Sequence, residues 1–65
     1  MKALKHYYVY KIAWSDTDRK RYKGRYIGKA QTIDGAMTLG AQADPLYGYI
    51  VRRPDGSYWW NNQGA

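Results

Sequence analysis

From Arg19 to Ala30 the chain reads RKRYKGRYIGKA, a stretch in which cationic positions alternate with aromatic and small ones. A period of two sends neighbouring side chains to opposite faces of a strand and leaves a helix no coherent apolar side. On that pattern Arg21, Lys23, Arg25, Ile27 and Lys29 share one face, while Tyr22, Gly24, Tyr26, Gly28 and Ala30 share the other. The face with the cations must stay wet, and Tyr22 and Tyr26 are expected to turn away from it. A second alternating stretch precedes it. In Lys5–Trp14 (KHYYVYKIAW), Tyr8, Tyr10, Ile12 and Trp14 lie on one side and Tyr7, Val9, Lys11 and Ala13 on the other. Ser15, Asp16, Thr17 and Asp18 between them favour a turn, because their short side chains bond to nearby backbone. The two stretches therefore pair as a hairpin.

One helix follows. Thr32 is placed to cap its N-terminus, and Asp34 sits in the first turn, where a carboxylate suits the helix dipole. Ile33, Ala36, Met37, Gly40 and Ala41 follow the spacing of a buried stripe. Gly35 and Gly40 each cost about 1 kcal/mol against Ala, so the helix depends on packing against the sheet. Its small residues imply a close approach, toward the glycine-bearing face of the second strand, and Asp44-Pro45 ends it. Leu46–Arg53 (LYGYIVRR) predicts a third strand and Tyr58–Asn61 (YWWN) a fourth, with Pro54-Asp55-Gly56-Ser57 as a hairpin turn. The tail from Asn62 is expected to fray. The order β-β-α-β-β implies an α+β fold: an antiparallel sheet of about four strands with one short helix packed on one face. Residues 1–65 form a single domain on this reading.

The chain has 65 residues, no Cys and no Phe, with eight Tyr and three Trp. A body this small buries only about 60% of the surface its unfolded chain exposes. Neither a disulfide nor a thiolate metal site can staple it. Aromatic rings must supply much of the core, yet buried Tyr hydroxyls need partners, so several rings belong at the surface. Alternation sends Trp59 and Trp60 to opposite sides of the sheet. One completes the core; the other is a rim aromatic or an interface anchor. By the same rule Tyr49 and Val51 share one face, and Gly48, Ile50 and Arg52 the other.

Eleven Lys and Arg face five acids, all Asp, for a net charge of +6. A field of that sign on a small body favours nucleic acid, an anionic membrane or an acidic protein surface as partner. No apolar run approaches the ~20 residues of a membrane span, and the N-terminus lacks the continuous apolar stretch of a signal peptide; the expected location is the cytoplasm, with no membrane partner. Reactive groups are sparse. His6 is the only histidine, Asp16 and Asp18 read as turn formers, and Ser15 and Ser57 have no nearby base. No catalytic residues, metal, cofactor or small-molecule substrate are expected.

Three resemblances bear on function. Tyr8-Val9-Tyr10 and Tyr26-Ile27-Gly28-Lys29 resemble the paired strand motifs of the GIY-YIG nucleases, whose strand tyrosines work with a helix arginine and a metal-binding glutamate. The half-motifs are degenerate here: their spacing is longer than usual, residues 33–43 hold no Arg, and the chain holds no Glu. Nuclease activity by that mechanism is excluded. Arg25-Tyr26-Ile27-Gly28 and the helix entry at Thr32 are similar to the sheet-plus-helix DNA-binding domains of ethylene-response factors and phage integrase arms. That likeness covers about half the chain and implies a sheet lying in the major groove, with Arg21, Lys23, Arg25 and Lys29 as the reading side chains. In size and layout the chain also resembles phage-encoded anti-CRISPR inhibitors, some of which block a Cas surface that normally holds nucleic acid.

Six of the eleven cations lie between Arg19 and Lys29, and Arg52 with Arg53 make a second pair. Cations of this density either keep a marginal protein soluble or neutralise phosphates, while exposed rings stack on bases. The candidate binding residues are Arg19, Lys20, Arg21, Lys23, Arg25, Lys29, Arg52, Arg53, Tyr58, Trp59 and Trp60. The expected function is a small basic binding protein, non-enzymatic, that contacts nucleic acid through a cationic, aromatic-rich sheet. The alternative is a phage-encoded inhibitor that docks on the nucleic-acid-binding surface of a host defence protein.

Overall fold

The computed structural model describes residues 6–43 and 47–62. Five elements follow in order: β1 (Tyr7–Ser15), β2 (Lys20–Ala30), α1 (Ile33–Gln42), β3 (Gly48–Arg52) and β4 (Tyr58–Asn62). The strands form one antiparallel sheet in the order β2-β1-β3-β4. The helix packs against β1, β2 and β3 on one face, so the fold is α+β. The fourth strand includes Asn62, beyond the expected end at Asn61. Lys5, Asp44, Pro45 and Leu46, expected at element ends, lie outside the described residues. Among the described residues no helix is long and apolar enough to cross a membrane.

The core forms where the helix covers the central strands. Gly28, Val9, Val51 and Trp59 are register partners across all four strands. Val9 and Val51 are fully buried there with Ala36 and Tyr49, and Tyr7, Ile27, Ala30, Ile33, Leu39 and Trp59 pack around them. Burying each valine contributes about 1.5–3 kcal/mol. The helix stripe runs through Ile33, Ala36, Leu39 and Gly40, whereas Met37 and Ala41, expected inside, are exposed. Leu39 replaces them because it leans over β2: a Cβ on Gly28 would stand 3.0 Å from its Cδ2. The tightest approach lies elsewhere, on β3. A Cβ at Gly40 would run into the Tyr49 ring, so the helix backbone rests directly on that ring.

Local chemistry fixes the ends. Thr32 is extended (φ −130°, ψ 160°), and its hydroxyl accepts the Gly35 N–H at 3.0 Å. Between β3 and β4, the Gly56 N–H donates to the Arg53 carbonyl at 2.9 Å and the Arg53 N–H to the Ser57 carbonyl at 2.7 Å. With Gly56 at φ 92°, this is a type I turn closed by a glycine bulge. Asp55 Oδ1 takes both the Ser57 N–H at 2.9 Å and the Ser57 hydroxyl at 2.6 Å. These two bonds, the hydroxyl's first, hold the Asp55 carboxyl below its usual range. Between β1 and β2, the Arg19 N–H donates to the Ser15 carbonyl at 2.7 Å and Arg19 itself is left-handed at φ 55°.

The second strand departs from simple alternation. Val9 opposes Gly28 but Tyr10 opposes Tyr26, and Ile12 then opposes Lys23. At each of these two register shifts β2 spends one residue more than β1, which is a β-bulge. The shifts reverse the expected faces of the strand's middle. Tyr26 joins Tyr10 on the face away from the helix, while Arg25 and Ile27 move to the helix side.

Candidate nucleic-acid interface

The face away from the helix is built from two rows that run across the sheet. Lys29, Tyr8, Arg52 and Tyr58 are successive register partners, and so are Tyr26, Tyr10, Ile50 and Trp60. Beyond them Lys23 opposes Ile12 and Arg21 opposes Trp14 on the long β1–β2 hairpin. Cations and rings therefore share one surface. The bulges make this so: unbroken alternation would have carried Tyr26 to the helix side.

This surface is concave and has an apolar floor. Lys23 on one edge strand donates to the Tyr58 hydroxyl on the other at 3.4 Å, across both central strands. On a flat sheet, three strand spacings and the offset along β1 from Tyr8 to Ile12 would put the two Cα positions about 19 Å apart, beyond the joint reach of the two side chains. The Lys23 ammonium also stands 4.7 Å from the Tyr10 ring centre and 5.4 Å from that of Tyr58. Beneath, Ile12 is 4% and Ile50 0% exposed, although among the described residues no helix covers this side. Their neighbours do the covering: Lys23 beside Ile12, and Tyr10 and Trp60 on either side of Ile50.

The rings have different degrees of freedom. Tyr26 meets Tyr10 edge-on at 5.5 Å and Tyr8 at 6.4 Å, yet is 49% exposed. Trp60 is 43% exposed, and among the described residues no ring or cation is stacked over it. Trp14 is already occupied, stacked on Tyr47 at 6.2 Å and 27°. His6 packs edge-on to Tyr8 at 6.4 Å.

The candidate cations divide. Arg21, Lys23, Lys29 and Arg52 lie on the concave face. The Arg52 guanidinium sits 5.9 Å from the Tyr58 ring, and the Nε groups of Arg21 and Arg52 are buried without a partner among the described residues. A donor left so costs about 1–3 kcal/mol. Arg25 lines a hollow with Lys11, Tyr26, Ile27 and Ala43, so the expected set of Arg21, Lys23, Arg25 and Lys29 on one face loses that member, and Tyr26 at the sheet edge borders both surfaces. Arg19 lies in the first turn and Lys20 at the start of β2, both exposed at one end of the sheet. Arg53 is engaged in the second turn, its Nη1 donating to Ser57 Oγ at 3.2 Å.

The two tryptophans separate as alternation requires. Trp59 opposes Val51 and meets Tyr49 edge-on at 5.9 Å, so it belongs to the helix-side core and leaves the candidate interface. Trp60 remains. Tyr8, Tyr10 and Tyr26 are additions, of which only Tyr26 was misplaced by the alternation of β2. Two glycines inside that strand, Gly24 and Gly28, were the available sign of bulges.

Among the described residues no three His, Asp or Glu side chains cluster as metal ligands would. Ser15 Oγ accepts the Asp18 N–H at 3.2 Å, and Ser57 is committed to Asp55, so both serines serve turns. The arrangement brings fixed positive charge and exposed ring faces onto one surface. Comparison with protein-family models, with curated proteins and with solved structures gives no match.

Proposed function

We propose that this chain is a non-enzymatic basic module that binds nucleic acid through the concave face of its sheet. One observation carries the reading: the row Lys29–Tyr8–Arg52–Tyr58 lies directly beside the row Tyr26–Tyr10–Ile50–Trp60. Cations there can neutralise phosphates while the neighbouring rings stack on bases. The net charge of +6 supplies long-range attraction to the same ligand. The test is affinity for duplex and single-stranded DNA across about 50 to 200 mM salt. Three or four neutralised phosphates give a log–log slope of about −2 to −4. A flat slope, or no binding at low salt, overturns the proposal.

A second reading draws on the β3–β4 end of the face. Arg52, Tyr58 and Trp60 are the residue types that dominate protein–protein hot spots. A phage-encoded inhibitor of the anti-CRISPR kind would use them to dock on an acidic or nucleic-acid-binding surface of a host defence protein. Nuclease digestion before a pull-down separates the readings. A protein partner retained after digestion supports docking; complete loss supports nucleic acid.

A further inference from the structure

The shape of the face narrows the class of nucleic acid, if the nucleic-acid reading holds. A duplex is read through base edges in its grooves, and the wider groove admits a helix or a protruding ribbon about 12 Å across. Here the sheet curves the other way. Lys23 and Tyr58 draw its two edges together, and α1 lies on the opposite side. Against a duplex this face meets phosphates alone, and its rings have nothing to stack on.

Unpaired bases offer what the rings lack. Tyr26 and Trp60 stand at the two ends of one row, on the outer strands, with their rings about half exposed. Lys29 and Arg52 flank the row on one side, and Arg21 lies beyond it on the other. We infer that the concave face takes single-stranded nucleic acid, with unpaired bases stacked on Tyr26 and Trp60 and the backbone held by Lys29, Arg52 and Arg21. Stacking does not distinguish ribose from deoxyribose, so DNA and RNA strands share this chemistry.

The experiment uses the full chain and labelled strands of about ten nucleotides, within the site sizes of sheet-based single-strand binders. Fluorescence anisotropy at one salt concentration compares oligo(dT), oligo(U), a duplex of equal phosphate number and an abasic deoxyribose-phosphate oligomer. The expected result is that a strand with bases binds at least about tenfold tighter than the abasic oligomer, and that the duplex gains nothing over it. Tight binding in either the dT or the U arm supports the inference, and the gap between them assigns the sugar. Tyr26→Ala and Trp60→Ala each weaken strand binding by roughly 5- to 100-fold, while Tyr26→Phe retains it. Tyr22 is the control: its ring is 46% exposed on the same strand but faces the other way, opposite Ala13, so Tyr22→Ala leaves binding unchanged. Circular dichroism confirms folding, and because Tyr26 and Trp60 lie on different edge strands, either variant suffices. Equal affinity for strand, duplex and abasic oligomer overturns the single-strand inference and leaves the basic module standing. No binding to any of them overturns both.

Discussion

At the scale of single residues, two positions hold the molecule's shape. Gly40 lets the helix backbone settle on the Tyr49 ring, which is 2% exposed. Alanine there gains about 1 kcal/mol of helix propensity, but its methyl group would overlap a core ring that has no free space to enter. Overpacking of this kind costs about 1–3 kcal/mol, so Gly40→Ala is expected to lower the denaturation midpoint. Lys23 holds the other face. Its ammonium lies between Tyr10 and Tyr58, each contact contributing about 0.5–1 kcal/mol at an exposed site. Lys23→Met keeps the stem over Ile12 and removes the charge. The expected loss is about 1 kcal/mol in chemical denaturation, with increased exposure of Tyr58; an unchanged midpoint means that the clasp contributes nothing.

At the scale of elements, turns and caps were legible because they depend on a few residues with fixed chemistry. Thr32 caps the helix as its position implied, and Pro54-Asp55-Gly56-Ser57 closes the β3–β4 hairpin. The Asp55 carboxylate supplies the test of that turn. Its pKa is lowered by the Ser57 hydroxyl and amide, so the ionised form is the one the folded turn favours. Its support is present above the ordinary carboxylate pKa and is lost as pH falls through the lowered folded value. In an NMR titration the Ser57 amide should move with a midpoint below that of a free aspartate; a midpoint at or above it removes the bond from the account. The faces of β2 were less legible. Alternation from Arg19 to Ala30 is unbroken in sequence, and two bulges reset it without altering any residue type. Tyr26 and Arg25 consequently exchange sides. Gly24 and Gly28 marked where a strand tolerates such irregularity, but glycine alone does not say which neighbour turns. The Trp59–Trp60 split was readable because β4 is regular; which of the two enters the core depended on where the helix lies.

At the scale of the whole molecule, sequence and structure agree on a four-stranded antiparallel sheet with one short helix on one side. The meeting of Lys23 with Tyr58 was not readable, since it joins residues 35 apart in sequence on opposite edges of the sheet. The two bulges of β2 place Tyr26 with Arg21, Lys29, Arg52, Tyr58 and Trp60 on one surface, while Arg25 and Lys11 line a hollow that Tyr26 also borders. The two faces thus make opposing claims about where an anionic ligand sits. The most direct test is a 1H–15N titration of the full chain with oligo(dT). Binding at the concave face shifts the amides of Lys29, Tyr26, Tyr10, Ile50, Arg52 and Trp60 and leaves the helix from Ile33 to Gln42 unmoved. Shifts centred on the helix and the Lys11–Arg25 hollow, with the concave face silent, would contradict it.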